Sequence, residues 1–388
     1  MRNVSSRLTA QQAYLHIGFS EQNMAMNRRK VLQASLATAG GLGLARWGFA
    51  NPHALWKPPL QPRHIHAGFD EFTSDSRASI EKGTAWLIKA LNPDGGAGED
   101  IGSTSDVACT GVVGVALLSQ GQTPLEGVHR KRQKRLGEFL VRRVETMAGT
   151  GALQKTPSQI DFDLGPYATH FFATICLSQM MGETAGTVRY MRALRRLEKY
   201  ISSNQKQNGS WGSDAWAPLL ATACGWVSLR AANFAGISVS GTSQKAGDYL
   251  VKNMPQIGRV WRGDSWYHRL YGTAAGLRVL YAQGRDQEKK AQTALGDILA
   301  LVENSNRAFG GAGGEEYLTF HYLTEMLMQK GGEDWQRWYP NVRDKLIRVQ
   351  NRDGSWTGHH CITSRTFSTA CALMTLSAPN RFLPISQV

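Results

Sequence analysis

An all-α fold, an (α/α) toroid of about six helix-pair repeats, is what this sequence predicts, and three observations predict it. Gln205, Gly209 and Trp211 recur as Gln350, Gly354 and Trp356, each trio closing an amphipathic segment and opening one rich in small residues. The chain divides into units of roughly 45 to 60 residues, a period of paired-helix arrays. Period-2 apolar runs are scarce, so almost no sheet is expected.

Within each unit the first helix carries a polar face. Arg189, Arg192, Arg195, Arg196 and Lys199 stand beside Met191, Leu194, Leu197 and Ile201, the three-and-four spacing of an amphipathic outer helix. The second helix is rich in Ala, Gly, Thr, Cys and Leu, which suits an inner helix enclosed by neighbours. A recurring threonine precedes the last apolar residue of that helix, as in Thr110 to Leu117, Thr222 to Leu229, Thr273 to Leu280 and Thr369 to Leu376; Thr174 and Met181 fit the second unit, and His321 takes the threonine slot in the fifth. Gly121, Gly284 and Gly332, with Asn233 and Asn380, occupy one slot just past that helix, where a left-handed residue ends it. Asp94-Gly95-Gly96, Asn208-Gly209, Gly310-Gly311 and Asp353-Gly354 supply turns on one rim. Polar capping repeats are absent at either end, and a ring, unlike an open solenoid, needs none.

These elements resemble the prenyltransferase and squalene-cyclase repeat superfamily, which comprises the terpenoid cyclase and protein prenyltransferase α/α toroids. The resemblance runs over roughly residues 78 to 386, through both Gln-x-x-x-Gly-x-Trp elements, the Trp86 to Gly98 segment, SDVACTGVVGVALLSQG and TACALMTLSAPNRFLP. It implies that Gln205, Trp211, Gln350 and Trp356 tie a helix end to the next helix, and that the ligand is apolar or isoprenoid-like. The motifs specify the fold better than an activity.

Three segments follow. Residues 1–50 hold Asn27-Arg28-Arg29-Lys30, an apolar Gly/Ala-rich stretch from Val31 to Ala45, and Gly48-Phe49-Ala50 as a cleavage site, which reads as a twin-arginine (Tat) signal peptide. The stretch falls short of the roughly 20 residues that span a bilayer. Residues 51–77, with four prolines, read as a linker, and 78–388 as the toroid. Export to the periplasm or envelope is therefore expected. The formal net charge is +14; the first fifty residues contribute six Arg/Lys and one acid, so their removal leaves +9. Much of that excess sits on outer-helix faces such as Arg130, Lys131, Arg132, Lys134 and Arg135, a solvated face or one suited to peripheral envelope association; nucleic acid is not expected as a partner. Cys176, Cys224 and Cys371 share a repeat slot with Ala275, which marks a small buried packing position.

One turn before the recurring threonine the units carry Asp106, His170, Pro218, Arg269, Tyr317 and Arg365. With inner helices in one direction this register forms a ring near the mouth of a central cavity, so Asp106, His170, Arg269, Tyr317 and Arg365 are the catalytic candidates. Trp216, Trp266, Tyr267 and His268, just ahead of inner helices, and His321 are the ligand-binding candidates.

Known chemistries of the fold match poorly. The Asp-x-Asp-Asp acid of class II cyclases has its nearest counterpart in Asp161-Phe162-Asp163-Leu164, which lacks the last aspartate and reads as a surface helix-start pair. Asp106, Cys109 and His170 mimic the zinc ligand order of protein prenyltransferases, but with Asp-x-x-Cys, and in the first unit rather than late in the ring. His359, His360 and Cys361 are contiguous, which ill suits one tetrahedral ion. No metal or cofactor is expected. A polysaccharide-cleaving site would need paired carboxylates and aromatic platforms; Glu315, Glu316, Asp214 and Asp264 read as loop residues, and several of Trp211, Trp216, Trp261, Trp266, Tyr267, Trp335, Trp338 and Trp356 as repeat staples. The leading expectation is a toroid that binds an apolar or isoprenoid-like ligand or a protein segment in its cavity or rim, without intact cyclase or prenyltransferase machinery. The alternative is an isoprenoid-transforming enzyme using the polar ring.

Overall fold

The computed structural model describes residues 71–387 apart from 148, 150, 155–157, 212–214, 240, 256–265 and 305–309. The expected signal peptide and nearly all of the linker lie outside the described residues. No helix among the described residues is long and apolar enough to cross a membrane.

Six helix pairs make up the described chain. The outer helices are α1 (Ser74–Ala90), α3 (Arg130–Glu145), α6 (Thr187–Ser203), α8 (Thr242–Lys252), α10 (Lys289–Asn304) and α12 (Gly332–Arg348). The inner helices are α2 (Val107–Leu118), α5 (Ala168–Gln179), α7 (Pro218–Phe234), α9 (Trp266–Ala282), α11 (Gly314–Lys330) and α13 (Arg365–Leu376), and a short α4 (Gln159–Asp163) precedes α5. Each inner helix packs on the next, and α13 packs back on α2, which closes the ring. Isolated bridges at Leu91–Ala97 and Ala97–Asp106 are the sheet-like pairings among the described residues.

The amphipathic pattern is realised as burial. On α6, Tyr190, Ala193, Leu194, Leu197 and Ile201 face inward, and every residue of α2 is buried. The first helix begins at Ser74 behind a capping box of Thr73 and Ser76, slightly ahead of residue 78. Glu71 pairs with Arg381 at 2.9 Å and accepts from the Trp335 indole at 2.8 Å, so the two ends of the described chain are pinned together.

The recurring trio has one geometry in both copies. Trp211 Nε1 donates to the Ile201 carbonyl at 2.8 Å and Trp356 Nε1 to that of Leu346 at 2.9 Å, each a carbonyl in the last turn of an outer helix. Gln205 Nε2 donates to the Gly209 and Thr242 carbonyls, and Gln350 Nε2 to those of Gly354 and Ser79. Each glutamine thus joins its own turn to the next outer helix, and Gln350 joins the last unit to the first. Gly209 and Gly354 have φ of +93° and +95°, and a Cβ there would stand 2.3 Å from the Lys245 carbonyl oxygen and 2.6 Å from that of Lys82. The recurring threonine accepts from the rim: Ala97 N donates to Thr110 Oγ1 at 2.8 Å and Trp356 N to Thr369 Oγ1 at 2.9 Å.

Two expectations of the helix-end slot are corrected. Asn233 lies inside α7 and the left-handed residue is Gly236, because that helix runs a turn further; Asn380 sits in a 3-10 turn and Arg381 is left-handed. Cys176, Cys224 and Cys371 are buried free thiols, as their shared slot implies. Side chains fill the middle of the ring, where Tyr322 donates to Cys224 Sγ at 3.4 Å and Phe172 meets Phe367 edge-on.

Trp356→Ala is expected to destabilise the protein by about 3–5 kcal/mol, as for a large buried aromatic. Trp216→Ala, at a half-exposed position, is expected to stay within about 0.5 kcal/mol. Denaturant unfolding of the two variants beside the wild type checks this contrast.

Candidate functional site

The predicted ring residues share a register but not a site. Asp106 is the N-cap of α2, accepting from Cys109 N at 2.8 Å, and burial raises its pKa. His170 Nε2 accepts from Leu153 N at 3.0 Å while its ring stacks on Tyr200. Arg365 pairs with Asp100 and Asp353 and lies over the Trp86 ring. Arg269 is exposed and Tyr317 is buried. His321 belongs to an interior network: it stands 3.5 Å from Glu325, which pairs with Arg278 at 2.5 Å, and burial lowers its pKa.

Of the ligand-binding candidates, Trp216, Tyr267 and His268 lie near one group of residues. Trp216, 50% exposed, meets His268 edge-on at 4.9 Å, and His268 in turn packs against Tyr271. Tyr271 donates from its hydroxyl to Glu316 Oε1 at 2.5 Å, His360 Nε2 stands 3.6 Å from Glu316 Oε2, and Tyr267 packs on His360. Trp266 opens α9, and its side chain lies outside the described residues.

These rings surround an acidic cluster that the sequence analysis misplaced. Glu315 and Glu316 are in the first turn of α11 rather than in a loop, and are 0% and 1% exposed. The helix starts early because Gly313 and Glu316 form the cap, Gly313 N donating to Glu316 Oε2 at 2.6 Å. Asp163, expected at the surface, is 1% exposed at the end of α4. Asp214 and Asp264 lie outside the described residues, as does Trp261; Trp211, Trp335, Trp338 and Trp356 are buried staples.

The loop 358–362 covers the cluster. His359 N donates to the Ala312 carbonyl and Gly314 N to that of Ile362, both at 2.9 Å. Glycine at 313 permits this approach, since a Cβ there would come within 2.6 Å of the His360 carbonyl oxygen. Cys361 adopts φ +48°, a left-handed conformation unusual for a residue with a side chain.

Donor atoms of Asp163, Glu315 and Cys361 lie within 4.8 Å of one another, and so do those of Glu315, Glu316 and His360. Ile362 N donates to Glu315 Oε2 at 3.3 Å, whereas Glu315 Oε1, Asp163 Oδ1 and His360 Nε2 have no hydrogen bond of good geometry. Among the described residues no Lys or Arg pairs with any of the three carboxylates. Burial, with repulsion from Glu316, pushes Glu315 up to about 8; burial likewise lifts Glu316 to about 7, Asp163 to about 6 and the Cys361 thiol to about 12. Burial thus favours the protonated forms of these groups.

No protein-family model matches this chain, and no curated protein matches it. Solved structures do. The chain is similar to the type II terpene cyclase MstE from Scytonema, with 16% identity, 80% of this chain and 99% of that chain covered, and a TM-score of 0.51. It is similar to an alpha-1,6-mannanase, GH76A, of a Salegentibacter species, with 12% identity, 79% and 99% covered, and a TM-score of 0.55. The fold is that of the terpenoid cyclase-like α/α toroids. A glucoamylase of glycoside hydrolase family 15 from Hypocrea jecorina, at 10% identity with 80% and 73% covered and a TM-score of 0.50, shows how widely this fold is shared.

Raised carboxyl pKa values set the sign of a pH dependence in chelator-treated protein. A group whose folded pKa lies above its unfolded value contributes stability fully below the unfolded pKa, about 4 for these side chains, and loses it as pH rises through the folded one. Unfolding free energy is therefore expected to fall as pH rises from about 4 through the values near 6, 7 and 8 given above. Glu315→Gln should flatten that slope in urea titrations across the range.

Proposed function

We propose that this chain is an enzyme of hydrolytic type working at the mouth of the toroid. A hydroxyl-bearing ligand, in the first instance an oligosaccharide, rests against the Trp216, Tyr267 and His268 rings and meets Glu315, Glu316 and Asp163. The observation that carries this reading is the burial of three carboxylates with which no Lys or Arg among the described residues pairs. Burying a charge without compensation costs several kcal/mol, and carboxyls perturbed by burial in this way are candidates for a functional site.

Interior contacts such as Tyr322 on Cys224 and Phe172 on Phe367 support a ligand at the rim rather than along the axis. Half-exposed aromatic rings beside carboxylates suit sugar rings. Among the similar structures, the mannanase was solved as an inactive variant, with two adjacent aspartates replaced, in complex with alpha-1,6-mannotriose; Glu315 and Glu316 are likewise adjacent, at the start of an inner helix. Export and envelope association, expected from the leading segment and the basic outer faces, belong to this reading as the place where the ligand is met.

A second reading keeps the apolar or isoprenoid-like ligand. The likeness to a terpene cyclase solved with geranylgeranyl dihydroxybenzoate favours it, and the same carboxylates would then act on the polar end of that ligand. A passive binder of a protein segment leaves the buried carboxylates without a use.

The test is turnover on a panel of oligosaccharides and prenylated compounds. Glu315→Gln is expected to lower turnover of the responsive substrate by about 10²–10⁴ while its binding persists. Equal turnover in the variant, or binding with no turnover by the wild type across both panels, would overturn the enzyme reading. Activity confined to prenylated compounds would select the second ligand class.

A further inference from the structure

We infer that Asp163, Glu315 and Cys361 hold a divalent metal ion of the zinc class, with one coordination position open at the toroid mouth. The inference deepens the reading of the mouth as a reaction site and rests on the same cluster. It departs from the sequence expectation of no metal. It also uses residues other than Asp106, Cys109 and His170: Asp106 is occupied as an N-cap, and His170 Nε2 already accepts from Leu153.

Geometry carries the argument. Three donors, two carboxylates and a thiol, come from three units, the end of α4, the first turn of α11 and the loop before α13, and lie within 4.8 Å of one another. Glu315 and Asp163 are 0% and 1% exposed, yet each presents an oxygen with no hydrogen bond of good geometry. Buried polar atoms normally have partners, and two such carboxylates with donor atoms within 4.8 Å of a thiol are accounted for by a cation between them. The donor set selects the ion: a thiolate disfavours Mg²⁺ and Ca²⁺, which take oxygen ligands, whereas zinc accepts carboxylate and thiolate together.

The surroundings fit an open site. Glu315 is fixed by Ile362 N on its other oxygen, and Glu316 is held by Tyr271 and Gly313. Glu316 then stands beside the ion rather than on it. Three protein ligands with a fourth position for water is the pattern of catalytic rather than structural zinc, and bound water there becomes a nucleophile near neutral pH. Loading the ion displaces whatever protons Glu315, Asp163 and Cys361 carry, so binding releases protons.

The experiment uses the full chain, stripped with chelator and titrated with Co²⁺ or Zn²⁺ alone. About one equivalent of Co²⁺ is expected, with a thiolate-to-cobalt absorption band. Cys361→Ser should abolish the band, and Asp163→Asn should weaken binding at least tenfold. A measurement on the wild type needs no variant to fold: Cys361 is half-buried whereas the other four thiols are buried, and Zn²⁺ should slow its labelling by a thiol reagent at least tenfold. Unchanged labelling, Co²⁺ bound without the band, or no retained ion would each overturn the inference. Metal binding is read independently of turnover: an ion bound by these ligands in a protein that turns over nothing would sink the enzyme reading and leave the site standing, and turnover by a protein that the titration shows to retain no ion would do the reverse.

Discussion

A tryptophan indole bonded to a carbonyl near the end of an outer helix is the contact on which the rest of this molecule depends. Trp211 on Ile201 and Trp356 on Leu346 fix how the chain leaves an outer helix. The glycine of the same turn lies against the backbone of the next outer helix, and the glutamine bonds to that helix. One local device therefore sets the turn, the neighbour and the start of the inner helix at once. In the last unit it also closes the ring, because the neighbour reached from Gln350 is the first helix.

Closure gathers inner-helix starts at one rim, and this permits chemistry drawn from distant parts of the chain. The end of α4, the first turn of α11 and the loop ahead of α13 meet there although each belongs to a different unit. The interior of the ring is used differently. There Arg278 pairs with Glu325. An ion pair satisfied in this way specifies packing, whereas carboxylates lacking a counter-charge point to something brought from outside.

Much of the fold was legible because its signals are local and repeat. The threonine slot, the Gly-x-Trp turn and the small-residue inner helices each express a constraint acting within a few residues, so comparing units exposes them. Trp216 stands just ahead of an inner helix, as its place in the repeat implied, whereas Tyr267 and His268 lie in the first turn of α9 rather than before it. The cluster itself was not legible. Asp163, Glu315 and Cys361 break the repeat instead of following it, and their meeting depends on ring closure and on the 358–362 loop folding over Gly313. A signal existed in Gly313-x-x-Glu316, a capping pattern that starts α11 early and carries Glu315 and Glu316 into its first turn. The polar ring misled because register along parallel helices sets depth, not direction: Arg269 points to solvent while Tyr317 is buried.

The most direct test of the central claim, that the buried carboxylates at the mouth form a cation-dependent site, is anomalous diffraction at the zinc edge from crystals of zinc-loaded protein. The account predicts a single strong peak about 2.0–2.3 Å from a carboxylate oxygen of Asp163, a carboxylate oxygen of Glu315 and the Cys361 sulfur. A map with no peak there, and with Glu315 and Asp163 each paired to a lysine or arginine, would contradict it.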